Sequence, residues 1–278
     1  MFFLILHAVR NQKVITMFRP IYALFLRQIY LIQQSPPRLI SYVFWPTIFM
    51  LIWGFLNQYL YQDTQLKKFT LSTFLGASLL LNVMERSNIN IMMGFLEDVW
   101  SRNLGNILIS PIKTYQLIAG IIINGFIGMA IGMTAAFFIA YLAFDFNIIS
   151  LGLPVVAFFI NLTLTGWAVG IMILGVIFLY GLSAEFIGWM AAFLMTPFVC
   201  VYYPVSILPN WLQPVSKALP PTHSFEGLRY LIDHGHFNWS YFYYGLALNI
   251  LYLVVAVTVF VWAMNKARDK GGLLSMSE

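Results

Sequence analysis

Residues 115–144 read "YQLIAGIIINGFIGMAIGMTAAFFIAYLAF". The run is apolar and rich in glycine, and it contains no Asp, Glu, Lys or Arg. A spanning helix needs about 20 mainly apolar residues, so this stretch can cross a bilayer and is long enough to require tilt. The whole chain agrees with it. Of its 278 residues, 60% are hydrophobic and 9% are charged, and its mean hydropathy is +0.81. Soluble domains average about 45–50% apolar and about 25% charged residues. A core of this size cannot hide such an excess, so composition predicts an all-α polytopic membrane protein.

Five further stretches qualify as spans. The first covers 39–60, "LISYVFWPTIFMLIWGFLNQYL". The second covers 69–93 and is interrupted by "NVMERSNIN" (82–90). Residues 115–144 are the third, followed by 152–180, 184–203 and 242–264. Pro46 and Pro197 fall inside spans, where neighbouring helices can satisfy the freed carbonyls. With both termini cytoplasmic, ten basic residues lie inside: Arg10, Lys13, Arg19, Arg27, Arg38, Arg102, Lys113, Lys266, Arg268 and Lys270. Four lie outside: Lys67, Lys68, Lys217 and Arg229. Arg86 sits within a span. The asymmetry favours six spans with both ends in the cytoplasm. It also accounts for the net charge of +5 without a nucleic-acid partner.

Two segments do not span. Residues 13–35 place Val14, Phe18, Ile21, Tyr22, Phe25, Ile29 and Ile32 on one stripe, with Lys13, Arg19, Arg27 and Gln34 largely off it. That pattern predicts a helix lying in the membrane interface, ended by "QQSPPR" (33–38). A seventh span there would carry Arg19, Pro20 and Arg27 at costly depth. Residues 204–241 hold five prolines, Pro204, Pro209, Pro214, Pro220 and Pro221. Short helices over 210–218 and 223–233 fit between them, as an external re-entrant segment or cap. The N-terminal "MFFLILHAVRNQK" has neither a basic n-region nor a small-residue cleavage site, so no signal peptide is expected. The start is Met1 or Met17. The chain reads as one membrane domain over 1–278.

Catalytic motifs are not found. No GxxxxGK[ST], C-x-x-C or HExxH occurs, so neither a nucleotide site, a metal site nor enzyme activity is expected. His234 and His236 are two apart and would diverge on a helix. Cys200 is the one cysteine, so no internal disulfide forms.

Three features remain. As a helix, residues 95–109 put Leu96, Val99, Trp100, Leu104, Ile107 and Leu108 on an apolar face. Glu97, Asp98, Ser101, Arg102, Gly105 and Asn106 fall mainly on the other. Asp98 and Arg102, four apart, can pair for about 0.2–0.5 kcal/mol, and Ser110-Pro111 stops the helix. This predicts a short helix flat on the cytoplasmic surface, either a plain interfacial turn or a docking surface. Second, Asn82, Glu85 and Arg86 lie in the second span. Charges at depth cost at least about 2.5–3.5 kcal/mol each and face a bundle interior or water. They border a translocation path or a dimer seam, or else the span ends earlier and they belong to a cytoplasmic extension. Third, Tyr42, Trp45, Phe49 and Trp53 form an aromatic stripe in the first span. It suits a ligand path, though ordinary packing or lipid contact is the plainer reading. Glu226 and Arg229, three apart, fit a local ion pair at an external gate.

The string "FLEDVWSRNLGNILISPIKTYQLIAG" (95–120) closely resembles the stretch after the second span of ABC-2 type transporter permeases. "FWPTIFMLIWGFL" (44–56) resembles their first span, and "YPVSILPNWLQPVSKALPPTHSFEGLR" (203–229) their external run. The resemblance covers about residues 17–265. It implies a permease subunit of a bacterial ABC exporter in the plasma (inner) membrane. Such a subunit pairs with a second copy of itself and with two ATPase subunits that carry ATP and Mg. It also implies that Glu97, Asp98, Trp100, Ser101 and Arg102 lie in a coupling helix touching the ATPase, although Trp100 also suits headgroup anchoring. The run 219–229 looks more like the drug-exporter branch, so the expected cargo is a hydrophobic or amphipathic compound, drug-like or lipid. Lipid-linked polysaccharide or glycolipid is the alternative, and a non-transporting membrane scaffold is the alternative of another class.

Overall fold

The computed structural model describes residues 19–62, 71–103, 106, 110, 112–148 and 152–269. The expectations for residues 1–18, Lys67, Lys68, Leu104, Gly105, Ile107, Leu108 and Lys270 lie outside them. Among the described residues there are helices and turns and no strand. Four helices are long and apolar enough to cross a membrane, so the chain is a multi-pass membrane protein.

Helix α1 (residues 19–34) ends one residue before α2 (Pro36–Gln62). Pro36 and Pro37 occupy the first turn of α2, where an N–H has no helical partner to lose. Then follow α3 (Leu71–Trp100), α4 (Thr114–Phe144) and α5 (Leu153–Tyr180). Helix α4 opens with the Lys113 N–H donating to Gln116 Oε1 at 2.9 Å. Gly181 (φ +82) closes α5, its N–H donating to the Ile177 carbonyl at 2.8 Å. A side chain there would strain the left-handed backbone.

The fifth expected span is corrected. A 3-10 turn (Leu182–Ala184) leads into α6 (Glu185–Met195), only 11 residues. At 1.5 Å per residue α6 is about 16 Å long, too short to cross alone, and the turns after it complete the passage: Gly188 lies against Met92 of α3 and Tyr202 against Phe74, about 27 Å apart along that helix. Pro197 is the cause. It lacks an N–H and biases Thr196 away from helix, and the chain leaves the helix as turns through Cys200 (φ +56). Pro46 behaves differently and stays inside α2. The Tyr42 carbonyl, four residues earlier, loses its helical donor there. Gly132 of α4 lies against this spot. A Cβ on Gly132 would stand 2.7 Å from the Tyr42 oxygen and 3.0 Å from Pro46 Cγ.

Beyond α6, a 3-10 turn (Val205–Ile207), α7 (Gln213–Ala218) and α8 (Pro220–His234) precede α9 (Trp239–Asp269). The tandem Pro220-Pro221 starts α8 and does not separate it from its predecessor by a loop. Phe225, Leu228 and Leu231 are buried, and α8 packs on α9, α5 and α3.

Helix α3 is the hub. It packs against α2, α4, α5, α6 and α8, and residues 75–92 are buried without interruption. Its length of 30 residues, about 45 Å, exceeds a bilayer core, yet its polar residues keep it out of the apolar class. Those residues are shielded by the helices around it. The seam with α5 is tight because "GWAVG" (166–170) puts two glycines on one face, the small-xxx-small pattern of close helix crossings. A second seam, between α5 and α9, is polar. Asn249 Nδ2 donates to the Asn161 carbonyl at 2.9 Å, and Thr165 Oγ1 donates to Asn249 Oδ1 at 2.8 Å.

Candidate translocation site

Glu85 and Arg86 lie halfway along α3 and are 4% and 7% exposed. They point to different sides, as neighbours about 100° apart must. Asn82 and Glu85, nearly one turn apart, face a cavity of about 360 Å³. Leu81 of α3, Phe49 and Trp53 of α2, Phe193 of α6, and Thr196, Pro197, Tyr202 and Tyr203 of the following turn complete its wall. The turn forced by Pro197 therefore builds one side of the site. Tyr202 stacks on Phe74 with ring centroids 4.8 Å apart, and tilted ring contacts join Trp53 to Tyr202 at 4.9 Å and Phe49 to Phe193 at 6.3 Å.

Asn82 Nδ2 donates to the Ser78 carbonyl at 3.0 Å, while its Oδ1 has no hydrogen-bond partner among the described residues. No hydrogen bond or ion pair within that set reaches the Glu85 carboxylate. Arg86 is off the cavity, and its Nε is likewise unpartnered. The aromatic stripe divides. Phe49 and Trp53 line the cavity, whereas Tyr42 accepts a 3.2 Å bond from Gln28 Nε2 of α1 and Trp45 is about half exposed.

The acidic pair at the end of α3 has a different setting from the expected one. Residues 95–100 are not a separate surface helix but the last turns of α3, which ends in a turn at 101–103. Leu96 and Val99 are buried against the bundle, and burial of that face carries the helix past Gly94. Asp98 does not pair with Arg102. Arg27 of α1 forks onto it, with Nη1 donating to Oδ2 at 3.1 Å and Nη2 to Oδ1. Asp98 holds the Arg27 pKa above its ordinary value, against the opposing effect of burial. Arg38, at the start of α2, meets Glu97 at 2.9 Å. Trp100, Ser101 and Arg102 stay exposed, Arg102 with a left-handed φ of +54.

Glu226 and Arg229 do pair, at 2.9 Å. Each also holds the chain after α6: Arg229 Nη1 donates to the Val201 carbonyl at 3.1 Å, and Glu226 Oε1 accepts from the Val205 N–H at 2.8 Å. Among the described residues no group of three His, Cys, Asp or Glu is placed to hold a metal. Sequence reasoning missed Arg27 and Arg38 as the partners of the acidic pair, and Phe193, Tyr202 and Tyr203 on the cavity wall.

No family model matches the chain. It is 23% identical over 160 residues to "Inner membrane transport permease YadH" of Escherichia coli strain K12, and equally to that of Shigella flexneri. The chain is similar to inner membrane transport permeases. The matched part is 55% of this chain, and it spans 59% of the length of those relatives. A shorter match, 28% over 68 residues, links 24% of the chain to 9% of the uncharacterized protein YhgE of Bacillus subtilis.

Proposed function

We propose that the chain is the membrane subunit of an ATP-driven ABC-2 type exporter in a bacterial inner membrane, with both termini cytoplasmic. Two copies pair and two separate ATPase subunits supply ATP and Mg, so the chain hydrolyses nothing itself. The observation that carries this reading is the buried polar hub. Helix α3 crosses with the four apolar helices, and it brings Asn82 and Glu85 to a cavity at mid-length. In a lipid-facing scaffold such groups would be a cost with no return. Similarity to transport permeases supports it.

The ion pairs refine the docking surface. Glu97 and Asp98 tie α3 to α1 and α2, so Trp100, Ser101 and Arg102 are the side chains free to meet an ATPase. Glu226 and Arg229 hold the turn that walls the cavity, which suits an external gate. The cargo is a hydrophobic or amphipathic compound. Affinity purification of the tagged full chain from its native host tests the reading. A co-purifying P-loop ATPase, lost in Arg102→Glu, is the expected result. A chain that purifies alone, with no ATP-dependent export, points to the scaffold reading.

A further inference from the structure

The cavity between α2, α3 and α6 has an aromatic wall and an acidic one. Trp53 and Tyr202 present rings in tilted contact, 33° apart, on one side, and Glu85 stands on the other, 4% exposed and without a hydrogen bond or ion pair among the described residues. No lysine, arginine or histidine lines the space. Arg86 is next in sequence and its charge acts on Glu85 through space, but it is turned about 100° round the helix, off the cavity, and forms no ion pair with it. An unpaired carboxylate held out of water is costly, and its complement is a positive charge brought in by a ligand. Aromatic faces attract cations through their quadrupole, most strongly where water is excluded. The unpartnered Oδ1 of Asn82 adds an acceptor for a protonated amine. An anion would meet the carboxylate with no cationic side chain on the cavity wall, and a neutral cargo would leave that carboxylate unmatched. The volume of about 360 Å³ lies in the range of small-molecule sites, about 300–1,000 Å³.

The geometry points to a hydrophobic cation, an amine or onium group bearing aryl or alkyl substituents, as the cargo class recognised here. Glu85 is its countercharge, and Trp53 with Tyr202 forms its cation–π wall. This assignment rests on the permease reading.

The test uses the purified full chain in nanodiscs, with equilibrium binding of tetraphenylphosphonium and its anionic twin tetraphenylborate. Saturable binding of the phosphonium is expected, weakened at least about fivefold by Glu85→Gln and by Trp53→Leu, with no saturable binding of the borate. No saturable phosphonium binding, a smaller loss in the variants, or equal affinity for the borate overturns the assignment. Elution profile and melting temperature identify a misfolded variant, and the other substitution then decides. ATPase capture through residues 100–102 does not depend on Glu85. A chain that captures an ATPase but ignores the phosphonium removes the cation site and leaves the permease reading intact. A chain that binds the phosphonium but captures no ATPase does the reverse.

Discussion

Replacing Gly166 by Ala places a methyl group where α5 touches the backbone of α3. The new Cβ would stand 2.4 Å from Ser87 Cβ, 2.6 Å from the Met84 carbonyl oxygen and 3.0 Å from the Asn88 nitrogen. Ordinary contact begins at 3.4 Å, so α5 must retreat by 3.4 − 2.6 = 0.8 Å from the Met84 oxygen and by 3.4 − 2.4 = 1.0 Å from Ser87. Backbone cannot rotate away as a flexible side chain can. A gap of about 0.5–1 Å forfeits a quarter to a half of each van der Waals contact along the seam. Overpacking of this kind costs about 1–3 kcal/mol, offset by up to about 1 kcal/mol because Ala is the better helix former. The net loss is about 1–2 kcal/mol, or a fall in Tm of about 2–8 °C. Gly76 is the control. A Cβ there meets nothing nearer than 3.5 Å, so Gly76→Ala keeps the helix gain with no clash. Differential scanning fluorimetry of both variants in one detergent reads the contrast. If Gly166→Ala melts at or above the wild type, or Gly76→Ala melts as low as Gly166→Ala, the close α3–α5 crossing is wrong.

Asn249→Leu removes the Asn249 hydrogen bonds to Asn161 and Thr165 and leaves Asn161 Oδ1 short of a partner, while Asn161 Nδ2 keeps its bond to the Phe242 carbonyl; a loss of about 1–2 kcal/mol is expected, read by the same melting assay. Arg27→Met, Asp98→Asn and the double variant form a thermodynamic cycle, whose coupling should reach the upper part of about 0.2–1 kcal/mol because Arg27 remains partly exposed; salt should reduce it. Burial raises the Cys200 thiol pKa, so its thiolate fraction at neutral pH is below that of an exposed cysteine. As the sole cysteine, it should resist maleimide in the folded chain, gain reactivity only above the usual thiol range, and label fully in denaturing detergent.

Much of the helical frame was legible because lipid allows few choices. The expected spans at 115–144 and 152–180 agree with α4 and α5 within a residue, since uninterrupted apolar runs have no alternative to helix in a membrane. Two boundaries were not legible. Pro46 and Pro197 look alike in sequence, but the Pro46 site has a glycine of α4 against it and Pro197 begins a turn. Only tertiary contact separates them. The end of α3 was misread for a related reason. Glu97 and Asp98 looked like a water-facing surface because periodicity does not reveal Arg27 and Arg38, which come from 71 and 59 residues earlier. In the cavity, Asn82 and Glu85 were legible as polar residues in an apolar context. Phe193, Tyr202 and Tyr203 were not, because they arrive through a turn that the sequence reading treated as continuous helix.

The same helix joins the two regions that the proposed mechanism must connect. About 15 residues separate Glu85 from the turn at 101–103, one rigid span of about 22 Å at 1.5 Å per residue. That span has no glycine other than Gly94, and it is packed from several sides. A force on Trp100 or Arg102 cannot be absorbed by bending so well-buried a rod. It either moves α3 as a unit or breaks the grips of Arg27 on Asp98 and Arg38 on Glu97. Moving α3 as a unit changes the distance between Glu85 and the aromatic wall, because that wall belongs to α2, α6 and the Pro197 turn. Breaking the grips frees α1 and the start of α2, which carries Phe49 and Trp53. Both routes alter the cavity from the C-terminal end of α3. They separate experimentally: loosening the grips with Asp98→Asn and Glu97→Gln should uncouple ATP hydrolysis from export if α1 and α2 carry the motion. It should leave coupling intact if α3 moves as one piece.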